Sequence, residues 1–211
     1  MKSAKSALIA DDHPVVRAAV KILLRQEGFK QIYEVSSGNE VLSMIREHKP
    51  DLVVQDLIMP SLDGLEVLAR IQSGEVSCRV VVFTSLEGLF YQDRCMRAGA
   101  SAYVSKANDL EHLHKAVQAV MAGYSYFARL PSSSVSMNSL QRSEKELIDK
   151  LSDRELTIFQ YLAHGMSNKA IAEIMNLSHK TVSTYKTRTI EKLNVQSPLH
   201  LRDFALRNHL I

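Results

Sequence analysis

Residues 51–60 read DLVVQDLIMP: three apolar residues, Leu52, Val53 and Val54, then Gln55, an acid at Asp56, and a proline at Pro60. The run has the length and branched character of a buried strand, and Pro60 marks where regular pairing should stop. A carboxylate at the end of such a strand is poorly solvated, so its position there needs a reason. Outward from this stretch, similar runs at residues 7–11, 31–35, 79–84 and 102–105 join residues 52–56 as five expected strands. Helical stripes lie between them. Val16, Ala19, Val20, Leu23 and Leu24 form one, and Leu110, Leu113, Val117, Val120 and Met121 form the last, closed by Gly123. Strand and helix in alternation predict an α/β fold, a doubly wound five-stranded parallel sheet with helices on both faces.

The chain has 211 residues, enough for one large or two small domains, and its 45% hydrophobic content is ample for packed cores. No stretch approaches the roughly 20 apolar residues of a membrane span, and Asp11 interrupts the N-terminus before a signal-peptide core forms. A cytoplasmic protein without membrane contact is expected. Cys78 and Cys95 have no metal-type spacing and read as reduced, inert thiols. The formal net charge of +3 is uneven: 15 basic against 15 acidic residues up to Leu130, then 11 against 8. Beyond His164, seven basic residues face only Glu173, Glu191 and Asp203, a bias suited to an anionic partner.

Residues 131–143, PSSSVSMNSLQRS, carry six serines and little apolar periodicity, the composition of a mobile linker. EKELIDK behind it is expected to add a helical turn. Order resumes at LSDRE, where Ser152 and Glu155 have capping-box spacing. Further helix starts are expected at Ser167, Ser178 and Ser197, the last with Pro198 at the first helical position. The expected organisation is therefore a sheet domain over 1–123, a linker over 124–150, and a C-terminal all-α domain of four helices over 151–211.

In an open parallel sheet, chemistry gathers beyond the carboxyl ends of the strands. Asp11 and Asp12 end the first expected strand, Asp56 the third and Thr84 the fourth, while Lys106 follows the fifth. Three carboxylates so close raise at least one pKa unless a cation separates them, and hard oxygen ligands suit Mg2+. With that cation bound, Asp56 becomes a nucleophile toward a phosphoryl group. Lys106 and the metal offset charge on the phosphoryl oxygens, and the Thr84 hydroxyl donates to one. This gives the acid at the strand end its reason.

Residues 167–193, SNKAIAEIMNLSHKTVSTYKTRTIEKL, read as helix, short turn, helix, with Ile171, Ile174, Met175 and Leu177 apolar in the first half. With Val182 turned inward in the second helix, Leu193 also faces in and Ile190 flanks it. Lys180, Thr184, Thr187, Arg188 and Glu191 then face out. Small hydroxyls among cations suit a major groove, the threonines close to base edges and the cations on phosphates. Lys186 falls near the inward side, its ammonium reaching the rim.

The stretches ADDHP (10–14), DLVVQDLIMPSLDGLEVL (51–68), VVVFTS (80–85) and GASAYVSK (99–106) resemble the receiver domain of two-component response regulators, a flavodoxin-like fold. That resemblance implies Asp56 as phosphoacceptor, Asp12 and Asp56 as direct Mg2+ ligands, Asp11 assisting through water, and the Ile58 carbonyl completing the set. It implies Thr84 as switch hydroxyl, Tyr103 as the aromatic that changes rotamer with it, and Lys106 as charge partner of the phosphoryl group. Two departures stand out. Ala107 replaces the proline that often follows the lysine with a cis bond, and Gln55 replaces an aliphatic residue. If residues 52, 54 and 56 share one face, Gln55 points to the other, where its amide must find partners.

Residues 151–195 are similar to the LuxR-type DNA-binding domain of the NarL/FixJ class, and MSNK, KTVSTYKTR and KLN are similar to the BvgA/EvgA type of virulence regulator. Ser183 and Tyr185 stand where many members carry lysine and histidine. Base preferences therefore do not transfer, and Ser183, Thr184 and Thr187 are the expected base readers, with Lys180, Lys186 and Arg188 beside them. Together the resemblances imply a transcription regulator, not an enzyme. Its expected partners are a sensor histidine kinase or phosphotransfer domain, promoter DNA, a second copy of the chain and RNA polymerase. Two other readings compete: a small-molecule phosphatase with an aspartate nucleophile, disfavoured because Leu57, Ile58 and Met59 follow Asp56 with no second acid, and a receiver-like module regulated by protein contact alone, disfavoured by the intact acidic set.

Overall fold

Five short segments of branched and apolar residues pair as a parallel sheet: β1 (Ser6–Ala10), β2 (Gln31–Val35), β3 (Leu52–Gln55), β4 (Arg79–Thr84) and β5 (Ala102–Ser105), in the order β2-β1-β3-β4-β5. The computed structural model describes residues 5–59, 64–74, 78–86, 88–128, 139–195, 198–208 and 210–211; Pro60, Ser197 and residues 131–138 of the expected linker lie outside them. Every residue of β1 and β3 is buried, the continuous apolar signature of strands covered on both faces. The covering helices are α1 (Pro14–Gln26), α2 (Gly38–His48), α3 (Gly64–Ser73), α4 (Gly88–Arg97) and α5 (Leu110–Met121). Alternate strand residues, among them Ile9, Leu52, Val54, Val81 and Val104, pack with Val20 and Leu24 of α1 and Leu113 and Val117 of α5. Leu110 of the expected stripe is instead 44% exposed, because it stands at the first helical position, ahead of the first buried turn at Leu113.

The chain leaves β1 toward β2 and then crosses back to β3, so the two central strands point their carboxyl ends into one crevice. Register aligns them. Ala10 pairs with Gln55, and Thr84 pairs with Ser105. The strands expected over 7–11 and 52–56 stop one residue early, at Ala10 and Gln55, for a shared reason. Asp11 Oδ1 accepts from His13 N (2.9 Å) and Asp56 Oδ1 from Ile58 N (3.1 Å), so each acid turns the backbone out of the ladder through its own side chain. Thr84 Oγ1 and Ser105 Oγ accept in the same way from Leu86 N (3.5 Å) and Ala107 N (3.2 Å). Ala107 is thus accommodated without a cis bond, and none occurs among the described residues.

Gln55 is fully buried on the face opposite Leu52 and Val54, as alternation predicts, and its Nε2 donates to Gly64 O (2.9 Å) at the first turn of α3. Its Oε1 has no partner among the described residues. A Cβ on Gly64 would lie 2.4 Å from Leu57 Cα, so only glycine lets α3 start this close to the chain leaving β3.

The chain divides into two compact units, Met1–Ala128 and Arg129–Ile211. The second holds α6 (Ser139–Asp149), α7 (Asp153–Ala163), α8 (Asn168–Met175), α9 (His179–Lys192) and α10 (Pro198–Arg207). The linker expected up to residue 150 is therefore helical from Ser139. Ile148 of α6 is fully buried, and Glu144 binds Arg207 (2.9 Å) and Asn208 (2.7 Å). Buried Ile148, one ion pair to Arg207 and one hydrogen bond from Asn208 fix this helix, contacts that local periodicity does not display. Ser152, Ser167 and Ser178 cap α7, α8 and α9, and Ser152 with Glu155 completes a capping box. Asn176 takes the left-handed turn between α8 and α9 (φ 53°). Ile158, Ile171, Ala172 and Val182 form the core of this helix trio.

Candidate functional site

Asp11 and Asp56 leave adjacent strands side by side, tied by Asp56 N donating to Ala10 O (2.8 Å), while Lys106 N donates to Thr84 O (2.7 Å). Lys106 Nζ reaches across the sheet end to Asp56 Oδ2 (2.6 Å) and Asp11 Oδ2 (2.7 Å). Both acids are almost wholly buried. Burial pushes the Asp56 carboxyl above its usual range, against Lys106, the Thr84 hydroxyl and the Ile58 amide, which favour its ionised form. Burial alone would lower Lys106, but the charges of Asp56 and Asp11 hold it above the ordinary lysine value. The ammonium form is therefore favoured at the site.

Asp11, Asp12 and Asp56, together with His13, each place one ligand atom within 4.8 Å of the others. Asp12 Oδ1 is buried, and among the described residues its one close polar neighbour is His13 Nδ1 at 2.7 Å. An oxygen-rich set of three carboxylates, with one oxygen buried beside little but an imidazole, fits a small hard cation. His13 has no signal in the sequence beyond its place in ADDHP; its ring is mostly exposed, and it joins the cluster through Nδ1, 2.7 Å from Asp12 and 3.4 Å from Asp11, and through its amide, which donates to Asp11 Oδ1. Arg17 was also missed: it donates to Asp11 O (2.8 Å) and so steadies the turn that presents the two acids.

Leu86 connects the two expected switch side chains. Its amide meets Thr84 Oγ1, and its carbonyl accepts from the Tyr103 hydroxyl (2.7 Å). Thr84 is fully buried and Tyr103 nearly so. Past α5, Tyr126 runs parallel beside Ala102, with Tyr103 N donating to Tyr126 O (3.1 Å) and Tyr126 N to Ser101 O (3.0 Å). The Gln92 amide of α4 then clasps the backbone of Ala128 in both directions (2.9 and 3.0 Å). The cysteines lie apart from this site: burial pushes the Cys78 thiol up to about 11, and neither cysteine is in a disulfide.

In the second unit, Val182 and Leu193 of the α9 segment are buried, whereas Lys180, Thr184, Thr187 and Arg188 are exposed, as the helical phase predicts. Lys186 is half-buried. Ser183 is half-buried too, its Oγ accepting from Asn168 Nδ2 of α8 (3.1 Å). Thr189, absent from the expected inward face, is fully buried. A shallow groove of about 360 Å³ opens on this helix, lined by Ser178, Lys180, Thr181, Thr184, Tyr185 and Arg188.

Comparison with known proteins defines the class. Residues 7–118 match the response regulator receiver domain, and residues 149–205 match the luxR family of bacterial regulatory proteins. The chain belongs to the response regulators that join a receiver to a LuxR-type helix-turn-helix DNA-binding domain, a family of transcription regulators rather than enzymes. Among its relatives, the virulence-factor transcription regulator BvgA of Bordetella pertussis is 49% identical over 203 residues, covering 96% of this chain and 97% of that protein. The DNA-binding transcriptional activator EvgA of Escherichia coli is 34% identical over 205 residues, covering 97% and 99%. The RcsB response regulator of Salmonella typhimurium shares the fold, with a TM-score of 0.74 at 22% identity over 98% of both chains. The Asp11, Asp12 and Asp56 cluster is typical of the Mg2+ site of receivers. Among the described residues no helix is long and apolar enough to cross a membrane.

Proposed function

We propose that Asp56 accepts a phosphoryl group from a sensor histidine kinase or phosphotransfer domain, and that the modified chain binds promoter DNA through α9 as a homodimer in the cytoplasm. The carrying observation is the Lys106 ammonium placed against both Asp56 and Asp11 at the carboxyl end of the sheet. An Asp56 oxygen attacks phosphorus, the bond from phosphorus to the donor's imidazole nitrogen breaks, and the imidazole departs and takes a proton. Asp11, Asp12, Asp56 and the Ile58 carbonyl would hold Mg2+, which supplies charge neutralisation at the phosphoryl oxygens. Lys106 pairs with one of those oxygens and Thr84 donates to another. Thr84 and Tyr103 both bond Leu86, so a hydroxyl drawn toward Asp56 loosens the turn that Tyr103 holds.

On the DNA side, Lys180, Lys186 and Arg188 neutralise phosphates while Ser183, Thr184 and Thr187 approach base edges. The relatives BvgA and EvgA are transcription regulators by name, and solved RcsB complexes contain promoter DNA and dimers, which supports the same partners here. RNA polymerase is a further partner open to a regulator bound at promoter DNA.

Incubation of the full chain with acetyl phosphate and Mg2+, followed by mass spectrometry, tests the first step. A single added phosphoryl group on Asp56, absent from Asp56→Asn and accompanied by dimerisation and tighter promoter binding, is the expected result. Modification elsewhere, or unchanged modification of the variant, overturns the assignment.

A further inference from the structure

Thr184 and Thr187 are exposed on α9, yet each hydroxyl is already committed. Thr184 Oγ1 donates to Lys180 O (3.0 Å) and Thr187 Oγ1 donates to Ser183 O (3.1 Å), both one turn back along the helix. A threonine hydroxyl has a single proton, and here the backbone takes it. What remains to face a ligand is the γ-methyl and an oxygen that can only accept. Ser183 differs: its Oγ accepts from Asn168, so its own proton is still available to donate.

Resting on the base-reading role given to α9 above, we propose that Thr184 and Thr187 select A·T pairs by packing their methyls against the thymine C5-methyl, with no hydroxyl donation to a base. The major groove holds one apolar group, that methyl, and packing a γ-methyl against it is what distinguishes an A·T pair, since donor amino groups occur on adenine and cytosine alike. A guanine edge presents only acceptors, N7 and O6, and finds no donor in either threonine. The two residues are three positions apart on one helix face, about 4.5 Å along the axis, close to the 3.4 Å spacing of stacked base pairs. They therefore address neighbouring pairs, while the Ser183 proton suits an acceptor on the base edge next to them.

The test begins with the full chain, treated with acetyl phosphate and Mg2+, selecting duplexes from a random library. The selected duplex is then resynthesised with deoxyuridine in place of each thymidine in turn, and affinities are compared by fluorescence anisotropy at fixed salt. Removing the C5-methyl at one or two positions should weaken binding about fourfold each, the weight of one buried methylene-sized group. Thr184→Val and Thr187→Val, which keep the methyl and lose the hydroxyl, should bind within twofold of wild type. Thr187→Ser, which keeps the hydroxyl and loses the methyl, should bind about fourfold more weakly and no longer distinguish thymine from uracil at its position. All these changes sit on an exposed helix face with little cost to folding.

If the valine variants lose as much as Thr184→Ala and Thr187→Ala, or if uracil is tolerated everywhere, methyl reading is overturned while DNA recognition by α9 stands. Enrichment of no sequence at all by wild type overturns the base-reading role and methyl reading together.

Discussion

Glu155 joins the start of α7 to the end of α9, the helix proposed above to meet DNA, and its removal should be felt at both. The residue is 3% exposed. Its Oε2 accepts from Ser152 N (2.8 Å) and from Lys192 Nζ (2.6 Å), while Ser152 Oγ accepts from Glu155 N (3.3 Å). Glu155→Ala loses the return half of a capping box, about 1 kcal/mol. It also loses a charge-assisted bond to Lys192, whose side chain is 41% exposed and regains water, so this adds about 1 kcal/mol rather than a full buried-pair penalty. The expected total is about 2 kcal/mol. Glu155→Gln keeps the cap and should cost about 1 kcal/mol, and a cycle with Lys192→Met should return a coupling of similar size.

The pH dependence carries a sign. Burial alone would raise the Glu155 carboxyl, but Lys192 and the Ser152 groups hold it below the ordinary glutamate range. Its contribution is therefore fully present above about pH 4.3, the unfolded glutamate value, and is lost as pH falls through the folded one. Hydrogen exchange of α7 and α9 amides in the full chain, wild type against Glu155→Gln at matched pH in mild urea, measures the difference directly. The gap should be constant from pH 7 to 5 and shrink below that. A gap that widens in acid, or a Glu155→Ala cost no larger than that of exposed Glu173→Ala, would refute the coupling.

Two further changes test the sheet end and the DNA face. Gly64→Ala should destabilise the first unit by about 1–3 kcal/mol, because its Cβ meets Leu57 backbone at 2.4 Å and cannot be relieved by a rotamer change. Acetyl-phosphate labelling should slow with it, since the chain from Leu57 carries the Ile58 amide that bonds Asp56; a variant melting and labelling like wild type would contradict the close approach. Lys180→Ala should weaken all duplexes alike and flatten the slope of log affinity against log salt by about 1, and an unchanged slope removes Lys180 from the phosphate contacts.

The sheet and its site were legible because each rests on a local pattern. Valine-rich runs mark strands buried on both faces, and the carboxyl-end rule then brings Asp11, Asp56, Thr84 and Lys106 together without any contact being visible in the sequence. The capping serines of α7, α8 and α9 were legible for the same reason, each cap being set within four residues. Helix α6 was not. Its start lies in a serine-rich stretch with little apolar periodicity that reads as linker, and what orders it is Ile148 in the core and Glu144 against Arg207 and Asn208, more than sixty residues away. Thr189 likewise reads as polar surface, although position 189 lies seven residues beyond Val182 on the same buried side of α9.

What stayed hidden around the acidic site is a set of side-chain bonds to backbone, and these have no sequence period to betray them. Gln55 holds Gly64 O, Leu86 bonds both Thr84 and Tyr103, and Gln92 clasps Ala128. The last of these ties α4 to the segment leaving α5, whose Tyr126 is itself paired along β5 through Tyr103 N. The backbone of Tyr103 thus holds the exit segment while its hydroxyl holds the turn after Thr84. Under the switch role proposed for Tyr103, a repacking of its ring would release the Leu86 carbonyl at one end of this path while the backbone bond to Tyr126 O holds the other. Buried polar bonds of this kind are costly to leave unmade, so the path has few soft links in which a displacement could be absorbed.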